Sequence, residues 1–71
     1  MNYLVVVEQG ESSYGAYVPD LPGCAAVGES EEEVLRLVRE AIEMHVDALR
    51  QQGLPIPPAR SHAQLVSAAS S

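Results

Sequence analysis

The first apolar segment of the chain is a continuous aliphatic run at positions 4–7. β-Branched and aliphatic runs of this length are typical of a strand covered on both faces, so we predict a central strand over residues 2–8. A polar, glycine-containing connection follows at 9–13, and positions 14–18 then alternate in the two-residue period of a strand. This pattern predicts a second strand that pairs with the first as a hairpin.

A proline-rich turn ends the second predicted strand. Pro19 and Pro22 each fix φ and lack an N–H donor, and Gly23 permits the positive φ that a tight reversal needs. The strand is therefore expected to stop at Pro19. The small residues at 24–27 predict a third short strand, against which a helix can pack closely.

The strongest periodic pattern predicts one long helix, from residue 31 to about residue 52. Ser30 and Glu33 have the spacing of a capping box, in which each side chain accepts a backbone N–H that the first helical turn leaves unpaired. Gly53 stands where a glycine commonly closes the last turn. Both ends of the helix are therefore defined by their caps.

The apolar positions of this helix cover an arc of roughly 200°, about twice the width that packing on one surface needs. One side of the arc is a surplus flank formed by Leu37, Met44 and Ala48. We predict that this surplus flank packs against a partner helix or a second chain. His45 lies near the centre of the arc, where a neutral imidazole can be buried if its nitrogens find partners, and a partner-contacting or pH-sensitive role stays open.

The last part of the chain begins with a proline-rich segment at 54–58, which predicts extended geometry. Residues 64–67 could add a fourth strand beside the first, connected by a right-handed crossover. The alternative is a frayed tail. We therefore divide the chain into a domain of residues 1–58 and a C-terminal segment of residues 59–71, which is a tail or a short fourth strand.

The predicted fold class is α+β. We expect a three-stranded antiparallel sheet in the order β-β-β-α, covered on one face by one long helix. At 71 residues, the free energy of apolar burial nearly cancels the ordering entropy, so we also expect self-association. The single cysteine, the absence of a signal peptide and the absence of a membrane-spanning apolar run favour a soluble, cytoplasmic protein.

The formal net charge is −6, from four basic and ten acidic residues. This charge opposes direct binding to a phosphate backbone, so we expect no nucleic-acid ligand. A basic protein is the natural electrostatic partner. An acidic balance is also a common route to solubility, and this second explanation carries about equal weight.

The candidates for catalytic chemistry are few. Glu8 and Asp20 are the only acids beside the predicted strands, whereas two-metal phosphoryl chemistry needs several converging carboxylates. An aspartate in a turn such as that of Asp20 usually accepts local backbone hydrogen bonds, although it could be presented to a partner. Cys24 is expected to be a small buried hydrophobe. We predict no catalytic site, no metal and no cofactor.

Two tyrosines are candidate contacts with a partner. Tyr14 and Tyr17 project to opposite faces of the second strand, so at least one should lie on the sheet face that the helix leaves open. The alternative for Tyr14 is packing in the core, with its hydroxyl at solvent. The full candidate set for partner binding or self-association is Tyr14, Tyr17, Asp20, Leu37, Met44, His45 and Ala48.

Four segments, taken in order, resemble the HicB antitoxin family over about residues 2–58. They are Tyr14-x-Ala-x-x-Pro-Asp-Leu-Pro-Gly-Cys24, Gly28-x-Ser30-x-Glu-Glu33, Glu40-Ala-Ile42 and Gly53-x-Pro-Ile-Pro57. The resemblance implies a degenerate ribonuclease H fold, binding to a small basic mRNA-cleaving toxin of the HicA type, and assembly into dimers or tetramers.

Two departures from the family pattern qualify this expectation. Many HicB proteins continue into a DNA-binding domain, for which this sequence has no room, so the resemblance implies a stand-alone HicB domain. Leu37 is apolar where the family pattern implies a polar residue, often asparagine, which favours self-association. The expected function is a non-catalytic antitoxin that neutralises a HicA-type toxin; the alternative is an orphan homo-oligomeric interaction or structural protein without a toxin.

Overall fold

A computed structural model describes residues 2–69 of the chain. Three strands, β1 (Val6–Gln9), β2 (Tyr14–Tyr17) and β3 (Ala25–Gly28), precede one helix, α1 (Glu31–Gln51). The strands form an antiparallel sheet in the order β1-β2-β3, so β2 is the central strand. The predicted α+β class and the β-β-β-α order are confirmed.

The prediction that the first strand is central was wrong, because β1 lies at an edge of the sheet. Val5 and Val7 pack toward the core on the helix side. Val6 pairs with Tyr17 and therefore shares the opposite face with it. A short aliphatic run cannot distinguish a strand covered on both faces from an edge strand whose outer face is apolar and open.

The core lies between α1 and the sheet, because α1 packs mainly against β3 and β2. Two of its members come from the helix, one comes from β2, and the others come from the proline-rich turn and the residues that flank it. The buried residues are Ala16, Val18, Leu21, Cys24, Val34 and Val38. Burial of its apolar stripe against the sheet, more than helix propensity, stabilises a helix such as α1.

The proline-rich turn belongs to the core and does more than connect two strands. The N–H of Leu21 donates to the carbonyl of Val18 at 3.1 Å, and the N–H of Cys24 donates to the carbonyl of Leu21 at 3.0 Å. Gly23 has φ +83°, the positive value that the reversal requires. The turn thereby places Leu21, which is 0% exposed, under α1.

The caps of α1 follow the sequence closely. The Ser30 hydroxyl accepts the N–H of Glu33 at 3.1 Å, and the Glu33 carboxylate accepts the N–H of Glu29 at 2.7 Å. The glutamate thus reaches one residue further back than in the usual capping box, where it accepts the N–H of the N-cap residue itself. Gly53 has φ +68° and terminates the helix, as predicted.

The C-terminal segment adds no fourth strand within residues 2–69, so that alternative was wrong. Residues 54–61 instead form a strap that returns along the domain. The Tyr3 hydroxyl donates to the carbonyl of Pro57. The end of the strap is bound to Asp20, whose carboxylate accepts the N–H of Arg60. Residues 62–69 are exposed, and the last two positions of the predicted frayed tail lie outside the described residues.

Within residues 2–69, no helix is both long enough and apolar enough to cross a membrane.

Candidate functional site

Asp20 connects the proline-rich turn to the strap. Its Oδ2 accepts the backbone N–H groups of Arg60 at 2.8 Å and Ser61 at 2.7 Å, and its Oδ1 accepts the Ser61 hydroxyl at 2.9 Å. The sequence predicts a local turn acceptor or a partner contact at this carboxylate. Its hydrogen bonds are long-range and not local, because they join positions 40 residues apart, and we call this arrangement the Asp20 clamp. A contact between Asp20 and a partner stays a prediction.

The clamp also changes the acidity of Asp20. The N–H of Ser61 contributes most to lowering the pKa of Asp20 below its ordinary value of 3.8. Hydrogen bonds that a carboxylate accepts favour its charged form. A lowered folded-state pKa means that the clamp contributes stability above about pH 3.8 and loses it as the pH falls through the folded-state pKa.

We expect Asp20→Asn to release the strap, because asparagine has one acceptor oxygen and no charge to hold the three donors. The amides of Arg60 and Ser61 should lose protection in hydrogen exchange measured by NMR, while the amides of Val34 and Val38 keep theirs. Glu11→Gln, in the exposed β1–β2 connection, is the matched control. Unchanged protection of Arg60 and Ser61 in Asp20→Asn would contradict the clamp.

The sheet register places the two tyrosines in different environments. Tyr14 is half-buried and packs against the core. Tyr17 lies on the face away from α1 and is 43% exposed. We call this second surface the open sheet face; besides Tyr17 it includes Val6, Ala25 and Val27, of which Val27 is 70% exposed. Sequence reasoning missed Val27, because its face depends on the pairing of β3 with β2.

The surplus flank lies where the helical period placed it, beside the buried stripe of Val34 and Val38. Met44 is 73% exposed, Ala48 is exposed and Leu37 is half-buried. His45 is half-buried, as expected for a position near the centre of the arc. The surplus flank therefore presents apolar surface that the sheet does not cover.

An apolar groove lies on the other side of α1, next to the beginning of the chain. Two hollows of about 340 and 520 Å³ adjoin there and share Tyr3, Ile42 and Glu43. The groove exists because α1 packs mainly on β3 and β2 and leaves the β1 side less covered. Its apolar lining consists of Tyr3, Val5, Leu35, Val38, Ile42 and Val46. The sequence could not indicate this groove without the strand order.

Acidic groups dominate the solvent face of α1. Two ion pairs stand on this face, Arg36 with Glu40 at 3.5 Å and Arg50 with Asp47 at 3.9 Å. Both pairs are largely exposed, so they contribute little to stability. Because these pairs neutralise two of the four arginines, the remaining acids give the helix a negative outer face.

The two other candidates for chemistry are accounted for structurally. Cys24 is buried in the core, and its burial raises the pKa of the thiol, so the reactive thiolate is disfavoured. Glu8 is exposed near the end of β1. Over residues 2–69, no three His, Cys, Asp or Glu side chains are grouped closely enough to hold a metal ion.

Comparison with protein families finds a match over almost the whole chain. A family model described as "HicB_like antitoxin of bacterial toxin-antitoxin system" matches residues 3–70. The match includes the strap and the segment after it, whereas the resemblance seen in the sequence reached only about residue 58.

Individual proteins and one solved structure are also similar. A UPF0150 protein of Helicobacter pylori (strain J99) is 45% identical over 49 residues, covering 69% of this chain and 68% of the relative. A UPF0150 protein of Thermoplasma acidophilum is 34% identical over 58 residues, covering 80% and 84%. A solved structure, "HicA3 and HicB3 toxin-antitoxin complex", matches with a TM-score of 0.70 and 27% identity, covering 83% of this chain and 70% of that chain.

Proposed function

Because the chain belongs to the HicB-like antitoxin family of bacterial toxin–antitoxin systems, we propose that it binds and neutralises a small basic mRNA-cleaving toxin of the HicA type. The observation that carries this proposal is the family match over residues 3–70. The similarity to a chain of a HicA3 and HicB3 complex supports a protein toxin as the partner.

The charge of the chain supports a basic partner. With ten acids against four arginines, the field of the domain attracts a basic protein and accelerates the encounter. Glu40 and Glu43 lie on the exposed outer face of α1, where a partner can reach them without unfolding the domain. We propose that this acidic face meets the toxin first, and that the protein acts in the cytoplasm, where mRNA is cleaved.

In this proposal the protein covers the toxin and catalyses nothing itself. Of the two carboxylates that the sequence offered for metal chemistry, Asp20 accepts the backbone N–H groups of Arg60 and Ser61, and Glu8 is exposed near the end of β1. The acidic field also disfavours direct contact with RNA or DNA. Inhibition therefore comes from occupation of the toxin surface.

The proposal is tested by co-purification with a candidate toxin, a small basic protein of the HicA type encoded next to this chain. We expect a complex in about 50 mM salt that weakens in about 500 mM salt, where surface charges are screened. Glu40→Lys/Glu43→Lys should weaken the complex by about tenfold at low salt, whereas Glu11→Lys in the β1–β2 connection should have a smaller effect. Absence of a complex at low salt would contradict the proposal.

A second candidate function is an orphan homo-oligomeric interaction protein without a toxin. It is favoured by the surplus flank, on which Met44 alone is 73% exposed. We propose that Leu37, Met44 and Ala48, with Tyr17 on the open sheet face, form contacts between copies in a dimer or tetramer. An adjacent gene for a small basic protein favours the antitoxin, and its absence favours the orphan protein.

A further inference from the structure

The strap, residues 54–61, is bound to the domain at two anchors. Three hydrogen bonds go to the Asp20 carboxylate, and the Tyr3 hydroxyl donates to the carbonyl of Pro57. None of the buried core residues belongs to the strap, and of its own residues only Ile56 and Pro57 are half-buried. A segment with so little buried apolar surface opens at a lower free energy than the core does. The strap can therefore leave the domain while the sheet and α1 stay folded.

Three prolines stiffen the strap. Pro55, Pro57 and Pro58 each fix φ, and a proline-rich segment stays extended without internal hydrogen bonds. Gly53 joins the strap to α1 with φ +68°, and a small residue at the end of an element is a suitable hinge. A stiff segment that is hinged at one end moves as a unit. Loss of one anchor should therefore weaken the other.

The residues before β1 depend on the strap for their position. Continued beyond β1, the register with β2 brings Leu4 opposite Pro19, which has no N–H to donate. No backbone hydrogen bond joins residues 2–5 to another part of the described chain. They are held by partial packing against the core and by the bond from the Tyr3 hydroxyl to Pro57. Release of the strap removes that bond.

Residues 2–5 also form one wall of the apolar groove. Tyr3 lines both hollows, together with Ile42 of α1. Because β1 is an edge strand, no further strand supports this wall from outside. A movement of Tyr3 away from α1 would widen the groove. The position of the strap therefore influences the shape of a surface that the strap itself does not line.

We propose that the strap is a latch that couples the Asp20 clamp to the apolar groove. While the strap is docked, Tyr3 is held and the groove keeps its shape; release at either anchor frees Tyr3 and opens the groove. A cationic side chain that competes for the Asp20 carboxylate would change the groove from a distance. By reciprocity, a ligand that displaces Tyr3 from the groove would loosen the clamp. The coupling belongs to the fold, so failure of toxin binding would leave it intact.

The first test is whether one anchor responds to loss of the other. Tyr3→Phe removes only the hydroxyl that binds Pro57. We expect the amides of Arg60 and Ser61 to exchange about fivefold faster in this variant, the factor that one hydrogen bond typically contributes. Tyr17→Phe, on the open sheet face, is the matched control and should leave both rates unchanged. Unchanged rates in Tyr3→Phe would show that the anchors are independent and would overturn the proposal.

The second test measures the groove itself, through the rate at which iodoacetamide modifies an introduced thiol. Val46→Cys places that thiol in the hollow beside Tyr3, while Cys24 is buried. Addition of Asp20→Asn should raise the rate by a similar factor, about fivefold. With Met44→Cys, the same addition should have no effect, because Met44 is already 73% exposed. No acceleration at Val46→Cys, or equal acceleration at both positions, would contradict the coupling.

Discussion

Replacement of Leu21 by alanine is expected to lower the free energy of unfolding by about 2–5 kcal/mol. Leu21 is 0% exposed and belongs to a core of only a few buried residues. Its removal leaves a cavity under Val34 and Val38 that the proline-locked turn cannot close by moving. A domain of this size has a total stability of only about 5–10 kcal/mol, so the loss is a large part of it.

The measurement is urea unfolding followed by circular dichroism, with Leu54→Ala as the matched control. Leu54 is 48% exposed and lies in the strap, so the same substitution there should cost less than about 1 kcal/mol. Similar losses at the two positions would mean that the turn is not part of the core.

Replacement of Gly28 by alanine is the second large effect, an expected loss of about 1–3 kcal/mol. A Cβ at this position would lie 2.9 Å from the backbone nitrogen of Val34 and 3.0 Å from Oε1 of Glu33. The first of these contacts is with backbone, so β3 and the start of α1 would have to separate. Because Glu33 also accepts the N–H of Glu29, the movement would disturb the helix cap as well.

Gly15→Ala is the control for Gly28→Ala, because a Cβ at Gly15 meets nothing within 4 Å. Alanine there should be neutral, or stabilise the strand by up to about 1 kcal/mol. Thermal unfolding of the two variants separates the effects. A loss at Gly15→Ala equal to that at Gly28→Ala would contradict the close approach of α1 to β3.

Local signals in the sequence were sufficient for most of the secondary structure. The caps of α1 at Ser30 and Gly53 depend on residues within a few positions of one another, and the structure has both. The same holds for the turn at Pro19–Gly23, whose hydrogen bonds join neighbours. Such features are predictable because each one is satisfied within its own segment of chain.

Long-range features could not be predicted in the same way. The Asp20 clamp and the bond from Tyr3 to Pro57 join residues 40 to 54 positions apart, and no local pattern marks those pairs. The edge position of β1 likewise depends on where the chain goes after α1. The extended course of residues 54–58 was predicted, but the long-range bonds that hold the strap on the domain were not. The groove was missed because it follows from the strand order.

For the residues predicted to contact a partner, the sequence period gave some of the placement and the strand register gave the rest. The period of two placed Tyr14 and Tyr17 on opposite faces, but only the register showed that Tyr17 faces away from α1. The period of 3.6 placed Met44 outside the buried stripe, and its exposure agrees with that. Whether these side chains contact a toxin or a second copy stays a prediction.

The most direct test of the central claim is the titration of this protein into an RNA-cleavage assay with a small basic toxin of the HicA type. Stoichiometric neutralisation predicts that cleavage falls to zero at a fixed molar ratio, that the endpoint does not depend on incubation time, and that the protein alone leaves the RNA intact. Undiminished cleavage at a large molar excess, or RNA cleavage by this protein alone, would contradict the account.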